Sequence, residues 1–216
     1  MRIALFDTET IGLENKLVYD LALGIYDTET KEIVKTESWA IQETLEIPNI
    51  QNIAFFGENV KILQQEGKYI PFQKAKEHFN SLLFLYGVTE ITAFNIHFDI
   101  NAINETLAYC NIGNKFLERY YDFFCLRELA MKTLARSIEY RTIATTNKWF
   151  TASGKYISTT AESMIKFITG DNQFKQNHSA LDDVLCELKI LQNVDIEKRL
   201  SNIAPAYIPP PKIDTE

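Results

Sequence analysis

The N-terminal part of the chain alternates apolar runs with clusters of turn residues. Apolar residues dominate at 3–6, 17–26 and 33–41, and turn-forming residues lie between these runs at 12–15 and 27–30. Short runs rich in branched and aromatic residues, bounded by turn residues, are typical of β-strands. The first forty residues therefore predict three strands in an antiparallel meander.

Farther along the chain the apolar spacing becomes helical, with two short strand-like runs in between. The pattern predicts strands at 90–94 and 120–124 and helices over 49–65, 71–86, 99–110, 125–137, 160–168 and 179–194. Strands followed by mixed helices and strands predict an α/β fold, with a mixed sheet and helices on both faces. We expect one domain over residues 1–200, followed by a proline-rich tail over 201–216 that cannot continue a helix.

Composition indicates an ordinary globular protein. The 216 residues are 46% apolar and 24% charged, and no apolar run approaches the length of a membrane span. The N-terminus lacks the pattern of a signal peptide. Three separated cysteines, Cys110, Cys125 and Cys186, predict reduced thiols. We therefore expect a cytoplasmic protein without a membrane partner.

The net charge of −7 argues against broad, sequence-independent binding along a nucleic-acid backbone. It does not exclude a nucleic-acid substrate, because bound divalent cations change the local charge. Residues 132–175 contain seven basic and three acidic residues. This stretch suits either an enzyme that grips a short polyanion or a solvated face without a ligand, and the sequence leaves both open.

Asp7-Thr8-Glu9 directly follows the first apolar run and is the strongest indication of chemistry. In a strand, residues two apart point to the same side, so Asp7 and Glu9 would face one point in space. Two carboxylates that close repel each other unless a cation lies between them, and oxygen ligands favour Mg²⁺ or Mn²⁺. The motif therefore predicts part of a metal site.

The same four residues, Asp-Thr-Glu-Thr, occur again at 27–30. This second copy lies between two predicted strands and is followed by Lys31 and Glu32, which is typical of a solvated hairpin turn. We therefore assign the copy at Asp7 to chemistry and the copy at Asp27 to a turn.

Two further acidic positions begin predicted helices. Asp99 follows Asn95-Ile96-His97-Phe98, and Asp182 and Asp183 follow His178-Ser179-Ala180-Leu181. Each alone is typical of a helix N-terminus, where carboxylates are stabilising. In a helix Asp183 shares a face with Glu187, and Asp182 is turned about 100° away.

Together, Asp-x-Glu, Asn-x-x-Phe-Asp and His-x-Ala-x-x-Asp occur in this order and resemble the three motifs of the DnaQ-like DEDDh exonuclease family. The resemblance implies an RNase H-like fold and release of nucleoside monophosphates from a 3′ end with two Mg²⁺ or Mn²⁺ ions. It implies that Asp183, rather than Asp182, has the motif offset from His178, which would act as general base. The implied metal ligands are four carboxylates, those of Asp7, Glu9, Asp99 and Asp183.

Residues beside these motifs are candidates for substrate contact. Thr8 and Thr10 could bind the terminal sugar, and Leu13 and Phe98 could stack on a base or wedge it. Trp149 and Lys155 belong to a segment in which aromatic and basic residues alternate, as in single-strand binding platforms. A hairpin packed onto the domain is the alternative for that segment.

We expect a metal-dependent 3′–5′ exonuclease acting on single-stranded DNA 3′ ends, with a separate replication or repair protein as partner. RNA trimming is the nearest alternative. The sequence does not separate DNA from RNA, because recognition of a 2′-hydroxyl depends on geometry that a sequence does not show. A non-catalytic binding subunit is a third, which the loss of an acidic motif residue would have favoured. The oligomeric state is left open.

Overall fold

The computed structural model describes residues 1–113 and 115–198 of the chain. Its strands are β1 (Arg2–Thr10), β2 (Val18–Asp27), β3 (Glu32–Ile41), β4 (Tyr69–Ile70), β5 (Glu90–Ala93) and β6 (Asp122–Cys125). Within the described residues they form one six-stranded sheet in the order β4-β3-β2-β1-β5-β6. The first three strands are antiparallel, β5 and β6 continue parallel to β1, and β4 is parallel to β3. The predicted meander is confirmed.

The helices are α1 (Gln42–Leu45), α2 (Ile50–Ile53), α3 (Gly57–Glu66), α4 (Phe72–Leu85), α5 (Ile96–Tyr109), α6 (Leu126–Ala130), α7 (Ile138–Thr146), α8 (Ala161–Thr169) and α9 (Ala180–Asn193). A π-helical turn over Met131–Ala135 continues α6, and a 3₁₀ turn spans Ile196–Lys198.

The alternation of side chains along β1 divides the core into two layers. Ile3 and Leu5 pack into one apolar cluster together with residues of α6, α7, α8 and α9. Ala4 and Phe6 point to the opposite face and pack with α4 and α5. Helices therefore cover both faces of a mixed sheet, which confirms the predicted fold class.

Close approach of α9 to the sheet depends on Gly24 in β2. A Cβ atom at this position would lie 2.6 Å from Leu188 Cδ1 and 2.8 Å from Val184 Cγ1, both in α9. The missing side chain lets α9 lie directly against β2, and this fixes the height of its first turn above the sheet.

Several element bounds differ from the sequence prediction. The single helix predicted over 49–65 is two helices, because the chain is extended at Ala54 (ψ 141°). The helix predicted from residue 99 begins at Ile96, so Asp99 lies inside its first turn. Helices α1 and α7 and strand β4 were not predicted.

The predicted proline-rich tail over 201–216 lies outside the described residues, as does the predicted domain end at 200. Cys110, Cys125 and Cys186 are all unpaired thiols. Across the described ranges, none of the helices has the length and apolar character needed to cross a membrane.

Candidate active site

Asp7 and Glu9 lie near the end of β1, on the side of the sheet that α9 covers. The Oδ2 atom of Asp7 is shielded from solvent and has no hydrogen-bond partner among residues 1–113 and 115–198. Glu9 is buried, and the pairing of β1 with β2 shifts register between Glu9 and Thr10. The strand therefore presents the buried Glu9 and the half-buried Asp7 at the point where its regular pairing is interrupted.

Asp99 approaches the same region from the first turn of α5 and is buried. Its Oδ1 atom accepts hydrogen bonds from the Thr8 amide at 3.1 Å and from the Thr8 hydroxyl at 2.8 Å. Thr8 points to the α5 side of β1, opposite to its neighbours Asp7 and Glu9. Because its hydroxyl donates to Asp99, Thr8 connects β1 to the start of α5.

Asp183 lies in the first turn of α9 and is buried, with Oδ1 accepting a hydrogen bond from Gln176 Nε2 at 3.0 Å. Its neighbour Asp182 points elsewhere and accepts hydrogen bonds from Ser179 Oγ at 2.9 Å and from Asn177 Nδ2 at 3.3 Å. The two adjacent aspartates therefore have different surroundings: Asp183 faces the buried carboxylates, and Asp182 supports the turn before the helix.

His178 precedes α9 and lies at the edge of the acidic cluster. Its Nδ1 atom is 3.9 Å from Asp183 Oδ2, and its side chain is 40% exposed. Ligand atoms of Glu9, His178 and Asp183 all lie within 4.8 Å of one another. The structure thus brings all five predicted catalytic residues, from three separate parts of the chain, to one end of β1.

Burial makes these carboxyl groups hard to ionise. It raises the pKa of Asp7 well above the ordinary value, and the charges of Glu187 and Asp99 raise it further. Burial, followed by repulsion from Asp183 and Asp20, raises the pKa of Glu9 to about 9. Burial also raises the pKa of Asp99 to about 7, although the hydrogen bonds from Thr8 act in the opposite direction. Ionised carboxylates this close require a compensating positive charge.

Two buried acidic residues next to this cluster were not predicted as site residues. Glu187 lies one turn after Asp183 and is 3% exposed. Its Oε2 atom has no hydrogen-bond partner in the part of the chain that the structure describes. The sequence placed Glu187 on the face of Asp183 but gave no further sign of its role.

Asp20 lies in β2 directly opposite Glu9, and its Oδ2 atom accepts a hydrogen bond from the Ala180 amide at 3.1 Å. This bond holds the beginning of α9 against β2. Burial raises the pKa of Asp20 to about 6. The available sequence signal was an acidic residue inside an otherwise apolar strand.

A cleft of about 320 Å³ opens beside the cluster. Four of the predicted substrate-binding residues line it: Thr8, Thr10, Leu13 and Phe98. The other lining residues are Glu9, Gly12, Phe55, Phe56 and His178. The Thr10 hydroxyl donates to the Gly12 carbonyl at 3.2 Å, and Leu13 is 77% exposed at the rim. Substrate contact by these residues remains a prediction.

Trp149 and Lys155 do not line this cleft. Trp149 packs on the core beside Tyr140, with ring centroids 6.3 Å apart, and Lys155 is exposed. A bridge between Phe150 and Ile157 closes the segment as a small hairpin. This arrangement matches the alternative of a hairpin packed onto the domain, and single-strand binding by Trp149 and Lys155 remains a prediction.

The second Asp-Thr-Glu-Thr copy forms the turn between β2 and β3, as predicted. Asp27 accepts hydrogen bonds from the Glu29 amide at 2.9 Å and from Arg2 Nε at 3.1 Å. Its charge is therefore compensated by Arg2 of β1 and by the turn amide, unlike that of Asp7.

The acidic cluster fits a divalent cation. All of its buried carboxylates supply the oxygen ligands that Mg²⁺ and Mn²⁺ prefer. The unpartnered oxygens of Asp7 and Glu187 are groups for which a protein normally provides a partner. A cation held among these oxygens would supply that partner and offset the mutual repulsion.

A scan against protein-family models finds no match, and a search of curated proteins finds none either. Solved structures do match. The nuclease domain of 3′hExo, a DEDDh family member bound to rAMP, gives a TM-score of 0.60 at 13% identity and covers 89% of this chain and 90% of that chain. A full-length 3′-exonuclease gives a TM-score of 0.60 at 13% identity, with 98% of this chain and 95% of that chain covered.

E. coli Exonuclease I in complex with a dT13 oligonucleotide gives a TM-score of 0.59 at 13% identity. That match covers 92% of this chain but only 41% of Exonuclease I. All three comparisons extend over most of this chain. The chain therefore has the RNase H-like fold of DEDDh-type exonucleases, in agreement with the resemblance of its three motifs.

Proposed function

We propose that this protein is a divalent-metal-dependent 3′–5′ exonuclease. The observation that carries the proposal is the convergence of four carboxylates, those of Asp7, Glu9, Asp99 and Asp183, with the His178 imidazole at their edge. A protein that needed only the fold for stability would gain nothing from burying repelling carboxylates, since unpaired buried charge is costly. The similarity to solved exonucleases supports the same reading.

Asp7, Glu9, Asp99 and Asp183 are the proposed ligands of two Mg²⁺ or Mn²⁺ ions. When bound, such ions neutralise charge on the phosphate, favour the hydroxide form of water and stabilise a departing oxygen. The protein supplies the fixed positions of the ligands: Thr8 orients Asp99, Gln176 orients Asp183, and Asp20 holds the start of α9.

In the proposed reaction a water molecule attacks the phosphorus between the last two nucleotides, and His178 accepts its proton. The new bond joins the water oxygen to phosphorus, and the bond to the 3′ oxygen of the penultimate nucleotide breaks. That oxygen leaves and takes up a proton, which gives a nucleoside 5′-monophosphate and a shortened strand with a free 3′-hydroxyl. Histidine suits the role of base because imidazole exchanges protons near neutral pH.

Single-stranded DNA is the proposed substrate, and RNA is the alternative. The structural neighbours include both kinds of complex: Exonuclease I bound to a dT13 oligonucleotide, and a 3′-exonuclease that recognises a histone mRNA stem-loop. The cleft beside the cluster offers exposed Leu13 and Phe55 for stacking on an unpaired base. A replication or repair partner and a cytoplasmic location stay predictions.

The test is degradation of DNA and RNA strands of one sequence, labelled at either end, with Mg²⁺, with Mn²⁺ or with a chelator. We expect a ladder from the 5′-labelled DNA, immediate mononucleotide from the 3′ label, and no reaction with the chelator. Faster loss of RNA under the same conditions would replace DNA by the alternative substrate. Fragments independent of both ends would indicate an endonuclease, and binding without cleavage would indicate a non-catalytic subunit.

A further inference from the structure

The turn between α2 and α3 contacts His178 from across the cleft. The Phe56 ring lies flat on the imidazole, with centroids 4.1 Å apart and planes 11° from parallel. Asn59, in the first turn of α3, donates hydrogen bonds from Nδ2 to the carbonyl of Asn177, at 3.1 Å, and to the carbonyl of His178. One short segment thus holds both the ring and the backbone of His178.

The backbone of His178 needs such support. Its φ is 55°, which is a left-handed backbone conformation. Residues with a Cβ atom keep this conformation only when the surrounding structure stabilises it. The residue lies in the loop before α9, and its side chain is 40% exposed, so burial in the core does not fix the ring. Phe56 and Asn59 provide contacts that the core does not.

The position of Phe56 is itself fixed at two points. The amide of Phe55 donates to the Ile11 carbonyl at 2.9 Å, which ties the turn to the end of β1. At Gly57 a Cβ atom would lie 2.0 Å from the backbone oxygen of Gln51, so only glycine permits this approach to α2. The Phe56 ring is therefore presented to His178 from a constrained backbone.

We propose that Phe56 and Asn59 are positioning residues for His178. Phe56 covers one face of the imidazole and keeps its edge toward Glu9 and Asp183, and Asn59 holds the backbone conformation that this placement needs. The catalytic meaning of the placement rests on the proposed function of His178. The alternative role for a cleft phenylalanine, stacking on a substrate base, leads to different results in both tests below.

The first test uses ring-current shifts in the NMR spectrum of the substrate-free protein. The chain has only three histidines, His78, His97 and His178, and His178→Gln identifies the signals of the third. Phe56→Leu keeps an apolar side chain but removes the stacked ring, so the imidazole C–H signals of His178 should move downfield. The signals of His78, which packs near Trp39 at 6.5 Å, should not move.

Phe56→Tyr, which keeps the ring, should retain the original His178 shift. A His178 signal that is the same in Phe56→Leu and in the parent would overturn the proposal. So would a change that Phe56→Tyr shares with Phe56→Leu. This readout needs neither metal nor substrate, so it distinguishes failure of the positioning proposal from failure of the proposed nuclease function.

The second test separates positioning from substrate binding by steady-state kinetics on single-stranded DNA. Phe56→Leu and Asn59→Ala should each lower kcat about 10- to 100-fold, because a misplaced base is slow, and leave KM nearly unchanged. Phe56→Tyr should keep most of kcat. The matched control is Phe84→Leu, since Phe84 is exposed on α4 against Arg119, outside the cleft. A raised KM with normal kcat in Phe56→Leu would show that Phe56 contacts the substrate and would overturn the proposal.

Discussion

Single residues at the end of β1 determine what the site requires. Asp7 has an oxygen that is shielded from solvent and lacks a hydrogen-bond partner among the described residues, and its strongest electrostatic neighbours are other carboxylates. Buried polar groups in native proteins are almost always satisfied. A bound divalent cation would supply a partner for the Asp7 oxygen.

The adjacent aspartates of α9 give a matched pair for testing this requirement. Asp183→Asn should lower activity at least about 100-fold, because loss of one charged metal ligand removes several kcal/mol of transition-state stabilisation. Asp182→Asn should retain most activity, since the Asp182 carboxylate accepts hydrogen bonds from the turn at Ser179 and Asn177. The measurement is the rate of mononucleotide release by both variants at saturating Mn²⁺. Equal losses of activity in the two variants would contradict the orientation of α9 that the structure shows.

His178 separates proton transfer from metal binding. His178→Ala should reduce the rate by about two to four orders of magnitude, the usual range for loss of a general base. Mn²⁺ affinity, measured by calorimetry, should remain close to that of the parent because the carboxylate ligands are unchanged. Joint loss of rate and metal affinity would instead indicate that His178 is a metal ligand. Its ligand atom lies within 4.8 Å of those of Glu9 and Asp183, which is compatible with that role.

The sequence predicted the acidic motif residues because three short motifs occur in the order of the DEDDh family. Position alone indicated a metal site only at Asp7 and Glu9, since Asp99 and Asp183 are also typical of a helix N-terminus. The sequence did not predict Asp20, whose role depends on contact with Ala180, 160 residues away in sequence. The same is true of Phe56 and Asn59, whose contacts with the His178 loop span more than 100 residues. Local patterns contain no information about which distant residue will face a strand or a loop.

At the scale of elements, the placement of α9 on β2 matters most for the site, and it depends on Gly24. The periodicity of residues 179–194 predicted the helix, but not the depth at which it packs. That depth follows from the side chains that Gly24 leaves room for, Val184 and Leu188. The helix predicted over 49–65 is a second example. It is divided into α2 and α3, and the backbone packs tightly against α2 at Gly57, the first residue of α3.

Gly24→Ala should therefore destabilise the protein by about 1–3 kcal/mol, the usual cost of overpacking a core. Because α9 carries Asp183, the variant should also bind Mn²⁺ more weakly. Urea denaturation and calorimetry measure the two effects. Gly12→Ala is the control for stability, since a Cβ at Gly12 would meet nothing within 4 Å. Unchanged stability in Gly24→Ala would show that α9 does not pack this closely.

At the scale of the whole molecule, the buried acidic cluster links folding to pH and to metal. Burial raises the pKa of Asp20 to about 6, of Asp99 to about 7 and of Glu9 to about 9. In the unfolded chain the pKa of a carboxyl group is about 4. Between about pH 4 and the raised pKa of each group, the folded chain therefore binds more protons than the unfolded chain. The free energy of unfolding of the metal-free protein should therefore fall as pH rises through this window.

Mn²⁺ should reverse this trend. A ligand that binds only the folded state stabilises it, and metal competes better with protons at higher pH. We expect Mn²⁺ to raise the melting temperature more at about pH 8 than at about pH 5. Thermal unfolding with chelator and with Mn²⁺ measures this, and Glu9→Gln should flatten the metal-free curve. Stability that rises with pH in the presence of chelator would contradict the buried cluster.

We propose above all that the carboxylates at the end of β1 form the metal centre of a 3′–5′ exonuclease. The duplicated Asp-Thr-Glu-Thr provides an internal control, because Asp27 has its own partners in Arg2 and the Glu29 amide. The most direct measurement is shortening of 5′-labelled single-stranded DNA with Mn²⁺ by the parent, Asp7→Asn and Asp27→Asn. We predict a 3′-to-5′ ladder from the parent and from Asp27→Asn, and none from Asp7→Asn. A full ladder from Asp7→Asn, or no ladder from the parent, would contradict the account.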